Sequence, residues 1–138
     1  MTEADRIAIE HACSRLMVRY CHLVDTYSHA DLVELFAPDG VWDGVKGPLK
    51  GHDAIRAYLD AKAPSYGRHH VTNMLVDVND HDHAEGTCYF TFYTAPGHKG
   101  DGPAPSVAPT VMGRYVDKYV RAATGWRIAH RKMVIEFR

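Results

Sequence analysis

Asp25, in the segment LVDTYSH, and the adjacent histidines His69 and His70, in GRHHVTN, are the side chains of this sequence best suited to chemistry. A neutral imidazole titrates near neutral pH and can take a proton from carbon when it is held in one tautomer. A carboxylate that accepts the Nδ1–H does the holding and stabilises the imidazolium that forms. The requirement is one acid and one histidine, far apart in sequence, meeting in a cavity with little water. Asp25 ends a helix-patterned segment, where the helix dipole is locally unfavourable to a carboxylate. It is either a solvated terminal acid or an acid turned into a pocket mouth to orient a histidine.

Neighbouring strand residues point to opposite faces, so only one of the two histidines can face inward. His70, Thr72, Met74, Val76 and Val78 share one face, and His69, Val71, Asn73, Leu75 and Asp77 the other. The first set is the more apolar, as a core face would be. The second is mixed, as a cavity with a polar rim would be. A bulge near Thr72 would change the phase. The pattern leaves both histidines open.

Other chemistries find less support. His81-Asp82-His83 is the densest metal-like cluster, but it falls in an expected turn and no HExxH spacing accompanies it. Neither a metal nor a cofactor is expected. No glycine-rich loop follows a strand to open a helix, and no GxSxG elbow occurs. Cys13, Cys21 and Cys88 lack CxxC spacing and lie in apolar stretches, which makes them buried free thiols rather than a disulfide framework. The aromatic residues are mostly core or interface material, with a few left to line a pocket for a flat apolar ligand. GRYVDKYVRAATGWRIAHR sets Arg114, Tyr115, Asp117 and Arg131 on neighbouring strands. An inward Arg131 would neutralise a carboxylate or polarise a carbonyl; an outward one is a plain surface arginine.

The elements that must position these groups follow from periodicity. Thr2 caps a helix in which Ile9, Cys13, Leu16, Tyr20, Leu23, Val24 and Tyr27 recur at spacings of three and four. Ser28 with Asp31 resembles a capping box for a short helix, DLVELF, that stops before Pro38. A short strand around Val41-Trp42 leads into a glycine- and proline-rich turn, and HDAIRAYLDAKA is a third helix. After Pro64 the period becomes that of strands: RHHVTNMLVDV, AEGTCYFTFYT, TVMGRYVDKYVRA and WRIAHRKMVIEF. APGHKGDGPAPSVAP is the long loop among them. Helices first and an antiparallel meander after them make an α+β architecture, a curved sheet covered by helices with a pocket at the open end.

The chain of 138 residues reads as one domain, 1–138, with no linker or internal repeat. A formal charge of −1 and the lack of any basic cluster leave nothing to attract nucleic acid or an anionic membrane. No apolar run reaches the roughly 20 residues that span a bilayer, and MTEADRIAIEHACSRL has no continuous apolar signal region. A cytoplasmic protein is expected, with a small-molecule substrate as its partner.

Four segments carry a family resemblance: RYCHLVDTYSHADLVELFAPDGVW, GPLKGHDAIRAYL, RHHVTNMLVDV and GRYVDKYVRAATGWRIAHR. Together, in this order, they resemble the SnoaL-like branch of the NTF2-like superfamily, nearest to scytalone dehydratase and hexachlorocyclohexane dehydrochlorinase. The resemblance implies a cone, a strongly bent antiparallel sheet wrapped around N-terminal helices with a cavity inside. It implies a cofactor-independent lyase with an Asp–His pair, and it matches Asp25 and His69 to that pair, so His69 becomes the inward base. Tyr20, Trp42, Asn73, Tyr115 and Arg131 are then the expected substrate-binding residues, and a homodimer or homotrimer the expected assembly. The chain departs from the dehydratase in having Val24 where that enzyme has a tyrosine, and no histidine in EGTCYFTFY. Elimination from a small apolar, ring-bearing molecule is the leading expectation. The alternatives are an isomerase or polyketide-cyclase-like enzyme with the same base, or a non-catalytic binding or subunit-like module.

Overall fold

A computed structural model describes residues 1–138. The first helix, α1, spans Glu3–Asp25. Thr2 closes a full capping box: its hydroxyl oxygen accepts the Asp5 N–H at 3.1 Å, and the Asp5 carboxylate accepts the Thr2 N–H at 2.9 Å. The Thr2 hydroxyl, which donates to the same carboxylate at 2.7 Å, and then the Thr2 N–H hold the Asp5 carboxyl below its usual range. Ile9, Cys13, Leu16, Met17, Tyr20 and Cys21 form the buried stripe. Thr26 ends the helix, its hydroxyl donating to the His22 carbonyl at 2.8 Å, and Tyr27 turns the chain at φ 55°.

The next helix, α2, covers only His29–Val33, and the expected Ser28 capping box does not form. Ser28 instead shares a hydrogen bond with the Thr26 hydroxyl at 2.9 Å. The expected helix also does not reach Phe36. Leu35 closes a turn, its N–H donating to the Leu32 carbonyl at 3.0 Å, while its own carbonyl accepts the Ile128 N–H at 2.8 Å, so the chain joins the sheet at Phe36. Strand β1, Phe36–Gly44, is therefore longer than the short strand read from the sequence, and β2, Gly47–Lys50, folds back on it. Helix α3, His52–Asp60, follows and ends short of the expected Ala63.

The remaining strands are β3 (Tyr66–Val78), β4 (His83–Ala95), β5 (Val111–Ala122) and β6 (Gly125–Phe137). They form the expected antiparallel meander within a six-stranded curved, unclosed sheet of order β2-β1-β6-β5-β4-β3. One pairing departs from the antiparallel expectation: β1 lies parallel to β6, with a register shift between Phe36 and Val41. Pro38, which has no N–H to give a ladder, falls within that gap.

The apolar stripe of α1 packs with the inward side chains of the sheet, Cys88, Phe90, Tyr115, Tyr119 and Ile128 among them, in one buried cluster. All three cysteines are free and buried. Burial pushes the thiols up to about 12 for Cys13 and Cys21 and about 11 for Cys88. No helix is long and apolar enough to cross a membrane.

Candidate active site

At the open end of the sheet the elements enclose a cavity of about 360 Å³. Tyr20, Val24 and Asp25 reach it from α1, Trp42 from β1, Tyr58 and Leu59 from α3, and Gly67 and His69 from β3. Phe90, Phe92, Tyr115, Met133 and Ile135 add apolar wall from β4, β5 and β6. Tyr27, Val45, Lys62 and Ala63, all exposed or partly exposed, stand at the mouth.

The strand pattern left open which histidine enters, the family resemblance pointed to His69, and a bulge sets the phase that turns it inward. β3 pairs with β4 in register from Tyr66 to Thr72 and again from Leu75, with Asn73 and Met74 as the extra length between. Asn73 takes φ 52°, a left-handed conformation that asparagine tolerates better than most residues. Before the bulge the odd residues Gly67, His69 and Val71 are the more buried; after it the even residues Val76 and Val78 are. One strand thus presents a continuous inner face while its residue parity inverts. His70 is exposed on the outer face, its ring 5.5 Å from that of Tyr93.

His69 and Asp25 make two hydrogen bonds. Asp25 Oδ1 lies 2.6 Å from His69 Nδ1, and Oδ2 accepts the His69 backbone N–H at 2.9 Å. β3 is the sheet edge, where backbone donors lack a further strand to pair with. Asp25 supplies the missing acceptor, and these donors offset the unfavourable placement of a carboxylate at a helix C-terminus. With Nδ1–H donating to the carboxylate, Nε2 is the free basic atom, and it has no protein partner. The side chains of Asp25 and His69 are 9% and 16% exposed, so the pair is largely shielded from water at the wall of an open cavity. The imidazole stacks on Phe92 with centroids 4.2 Å apart. Gly67 makes room for that ring, since a Cβ there would lie 2.6 Å from a Phe92 ring carbon.

A model of the SnoaL-like domain matches residues 5–132 of the chain. The chain belongs to the SnoaL-like domain family. Its architecture is that of the NTF2-like superfamily, as the resemblance implied. Solved structures similar to this SnoaL-like domain include Rv3472, a Mycobacterium tuberculosis protein of unknown function. It is 28% identical, with TM-score 0.82, over 99% of this chain and 77% of that one. A scytalone dehydratase candidate from Novosphingobium aromaticivorans is 17% identical, with TM-score 0.83, over 99% and 89% of the two chains. A type 2 hexachlorocyclohexane dehydrochlorinase is 16% identical, with TM-score 0.80, over 99% and 90%. Among curated proteins none matches this sequence.

The other site candidates of this SnoaL-like domain divide. Tyr20, Trp42 and Tyr115 line the cavity. Burial pushes the Tyr20 hydroxyl up to about 12 and that of Tyr115 well above its ordinary value, so both remain hydroxyl donors. The buried Trp42 N–H meets no hydrogen-bond acceptor. Asn73 is exposed at the bulge and does not reach the cavity. Its place in the site is corrected: it serves the strand's phase.

Arg131 is inward, as one reading of the sequence had it, but it does not line the cavity either. It lies fully buried behind Tyr20 and Tyr115, its guanidinium carbon 4.4 and 4.2 Å from their ring centroids. Asp117, also buried, accepts from Nε at 2.9 Å and Nη2 at 2.7 Å, and from the Tyr119 hydroxyl at 2.6 Å. Burial opposes the guanidinium charge, but the Asp117 carboxylate outweighs it and holds the arginine charged. The carboxylate that Arg131 neutralises is thus the protein's own. No group of three or more His, Cys, Asp or Glu side chains is placed to hold a metal; His83 of the HDH cluster is instead tied to Asp80 at 3.0 Å.

Sequence reading missed His29, Lys62 and Arg138, which also line the cavity. Lys62 Nζ lies over the Tyr58 ring at 4.3 Å and the Trp42 ring at 5.7 Å. These residues come from a helix start, a helix end and a strand end, where no local pattern marks a cavity wall.

Proposed function

We propose that this protein is a cofactor-independent lyase in which His69 removes a proton from a carbon of a small, apolar, ring-bearing substrate. Asp25 fixes the Nδ1–H tautomer and stabilises the imidazolium, and a group on the neighbouring carbon leaves as the double bond forms. The observation that carries this reading is the paired hydrogen bonding of Asp25 to His69, with the free Nε2 beside a largely apolar cavity. A base in that setting acts with little competition from water, and the flat rings of Phe90, Phe92 and Tyr115 suit a flat substrate. The likeness to a dehydratase candidate and a dehydrochlorinase supports elimination as the reaction class. Tyr20, Trp42 and Tyr115 bind the substrate in this reading, and the chain works as one domain.

The test is turnover of scytalone, hexachlorocyclohexane and small β-hydroxy ketones, with products read by mass. Elimination lowers the mass of the organic product; isomerisation or cyclisation without a leaving group preserves it. His69→Ala should slow turnover by about 10²–10⁴-fold, with Asp25→Asn also strongly impaired. Wild-type rates in both variants would remove the dyad from the mechanism.

A further inference from the structure

A second histidine–carboxylate pair borders the same cavity through its histidine, His29. His29, the first residue of α2, places Nδ1 2.7 Å from Asp60 Oδ1, at the end of α3. Arg56 Nε donates to the other oxygen of Asp60 at 2.8 Å. The His29 side chain is only 10% exposed, and with Nδ1 committed to Asp60 its Nε2 has no protein partner. The Tyr27 ring packs beside it with centroids 5.7 Å apart, and Lys62 lies on the same wall. The two pairs differ in their access to water: the Asp25 side chain is 9% exposed and that of Asp60 50%. The hydrogen bond from His29, followed by that from Arg56, holds the Asp60 carboxyl below its usual range, so it stays ionised and able to support a charged imidazole.

A single base suffices to eliminate a halide, which departs as a stable anion. A hydroxyl group is different, because it must gain a proton to leave as water. We propose that His29, held by Asp60, is the proton donor of this cavity when the leaving group is the hydroxyl of a β-hydroxy ketone. The proposal rests on the reading of His69 as the base. His69 Nε2 takes the proton from the carbon next to the carbonyl, and that C–H electron pair becomes the new C=C bond. The C–O bond breaks with its electrons on oxygen, and the oxygen takes the Nε2 proton of His29, which enters the step as an imidazolium with its Nδ1–H on Asp60, to leave as water. His69 ends protonated and His29 neutral. Solvent removes the first proton and returns the second, the latter on the side where Asp60 meets water.

The aldol adduct of benzaldehyde and acetone, and the compound with chlorine in place of its hydroxyl, share a body and differ in the group that leaves. Para-nitrophenol is a non-reacting reporter whose absorption responds to a hydrogen bond at its oxygen. His29→Gln is expected to lower water elimination at least about 100-fold while leaving chloride elimination nearly unchanged; His69→Gln lowers both. Asp60→Asn, the second variant should His29→Gln fail to fold, follows the same selective pattern more weakly. The reporter's band shifts in wild type and in His69→Gln, and does not shift in His29→Gln. Equal losses on both compounds mark His29 as a structural tie between α2 and α3 and overturn the assignment. So does a reporter shift that survives His29→Gln or is missing in wild type. Water elimination that withstands His69→Gln but falls in His29→Gln would instead sink the base and leave the donor standing. A shift lost only in His29→Gln, with neither compound turned over, supports the oxygen donor and counts against the elimination reading.

Discussion

Asp25 and His69 meet through a side-chain and a backbone donor, so Asp25→Asn removes charge and offers an amide where the imidazole needs an acceptor. An Asn that turns its oxygen to Nδ1 can hold the ring but cannot match the carboxylate's stabilisation of an imidazolium. Arg131 differs in kind, because its charge is spent inside the core. Truncating one partner of a buried pair leaves the other charge uncompensated. Arg131→Met should therefore destabilise the fold by about 3–5 kcal/mol, measured by urea unfolding. Substrate affinity should change only as far as Tyr20 and Tyr115 shift. A loss of affinity with unchanged stability would return Arg131 to the substrate. The thiols give a pH prediction. A raised pKa keeps the neutral form as pH rises to the new value, so Cys13, Cys21 and Cys88 stay unreactive to a disulfide reagent at about pH 8 while folded. All three should react once the chain is unfolded in denaturant.

On the scale of elements, β3 is the part that makes the site. Its bulge lets one strand turn His69 inward at one end and Val76 inward at the other. Asn73→Val asks a β-branched residue to hold φ 52°, at a cost of about 1–2 kcal/mol, whereas Asn73→Gly should be nearly neutral. Urea unfolding of the two variants reads the difference directly. Gly67 is the other small residue the strand needs. Gly67→Ala would push the Phe92 ring away and loosen the stacked imidazole, so we expect reduced turnover with a smaller change in stability. A turnover rate equal to wild type would show that Phe92 does not position His69.

For the whole molecule, the element order and the α+β class were legible because each element carries its own period. The apolar stripe of α1 repeats at three and four, and β4 and β5 are dense in aromatic and β-branched residues. Where a residue's conformation depended on a distant partner, the reading slipped. Leu35 and Phe36 look helical beside Leu32 and Val33, and it is contact with Ile128 that ends the helix and starts β1 at Phe36. The outer face of the sheet is where the expected assembly is tested. Leu75, Thr87 and Val116 lie in register across β3, β4 and β5, and Leu75 and Val116 are exposed. We expect a dimer or trimer by sedimentation, weakened by Leu75→Lys with Val116→Lys; a monomer at all concentrations would remove the expectation.

By itself the sequence determined residue types, local periods and the Thr2 cap, since these depend on neighbours a few positions away. It also supplied an acid at a helix end and a histidine pair on a strand. The tertiary structure decided that His69 rather than His70 enters, that Asp117 claims Arg131, and that His29 meets Asp60 across 31 positions. Those outcomes rest on a strand's phase and on the approach of separate elements, which packing sets over the whole chain and no short window of sequence contains.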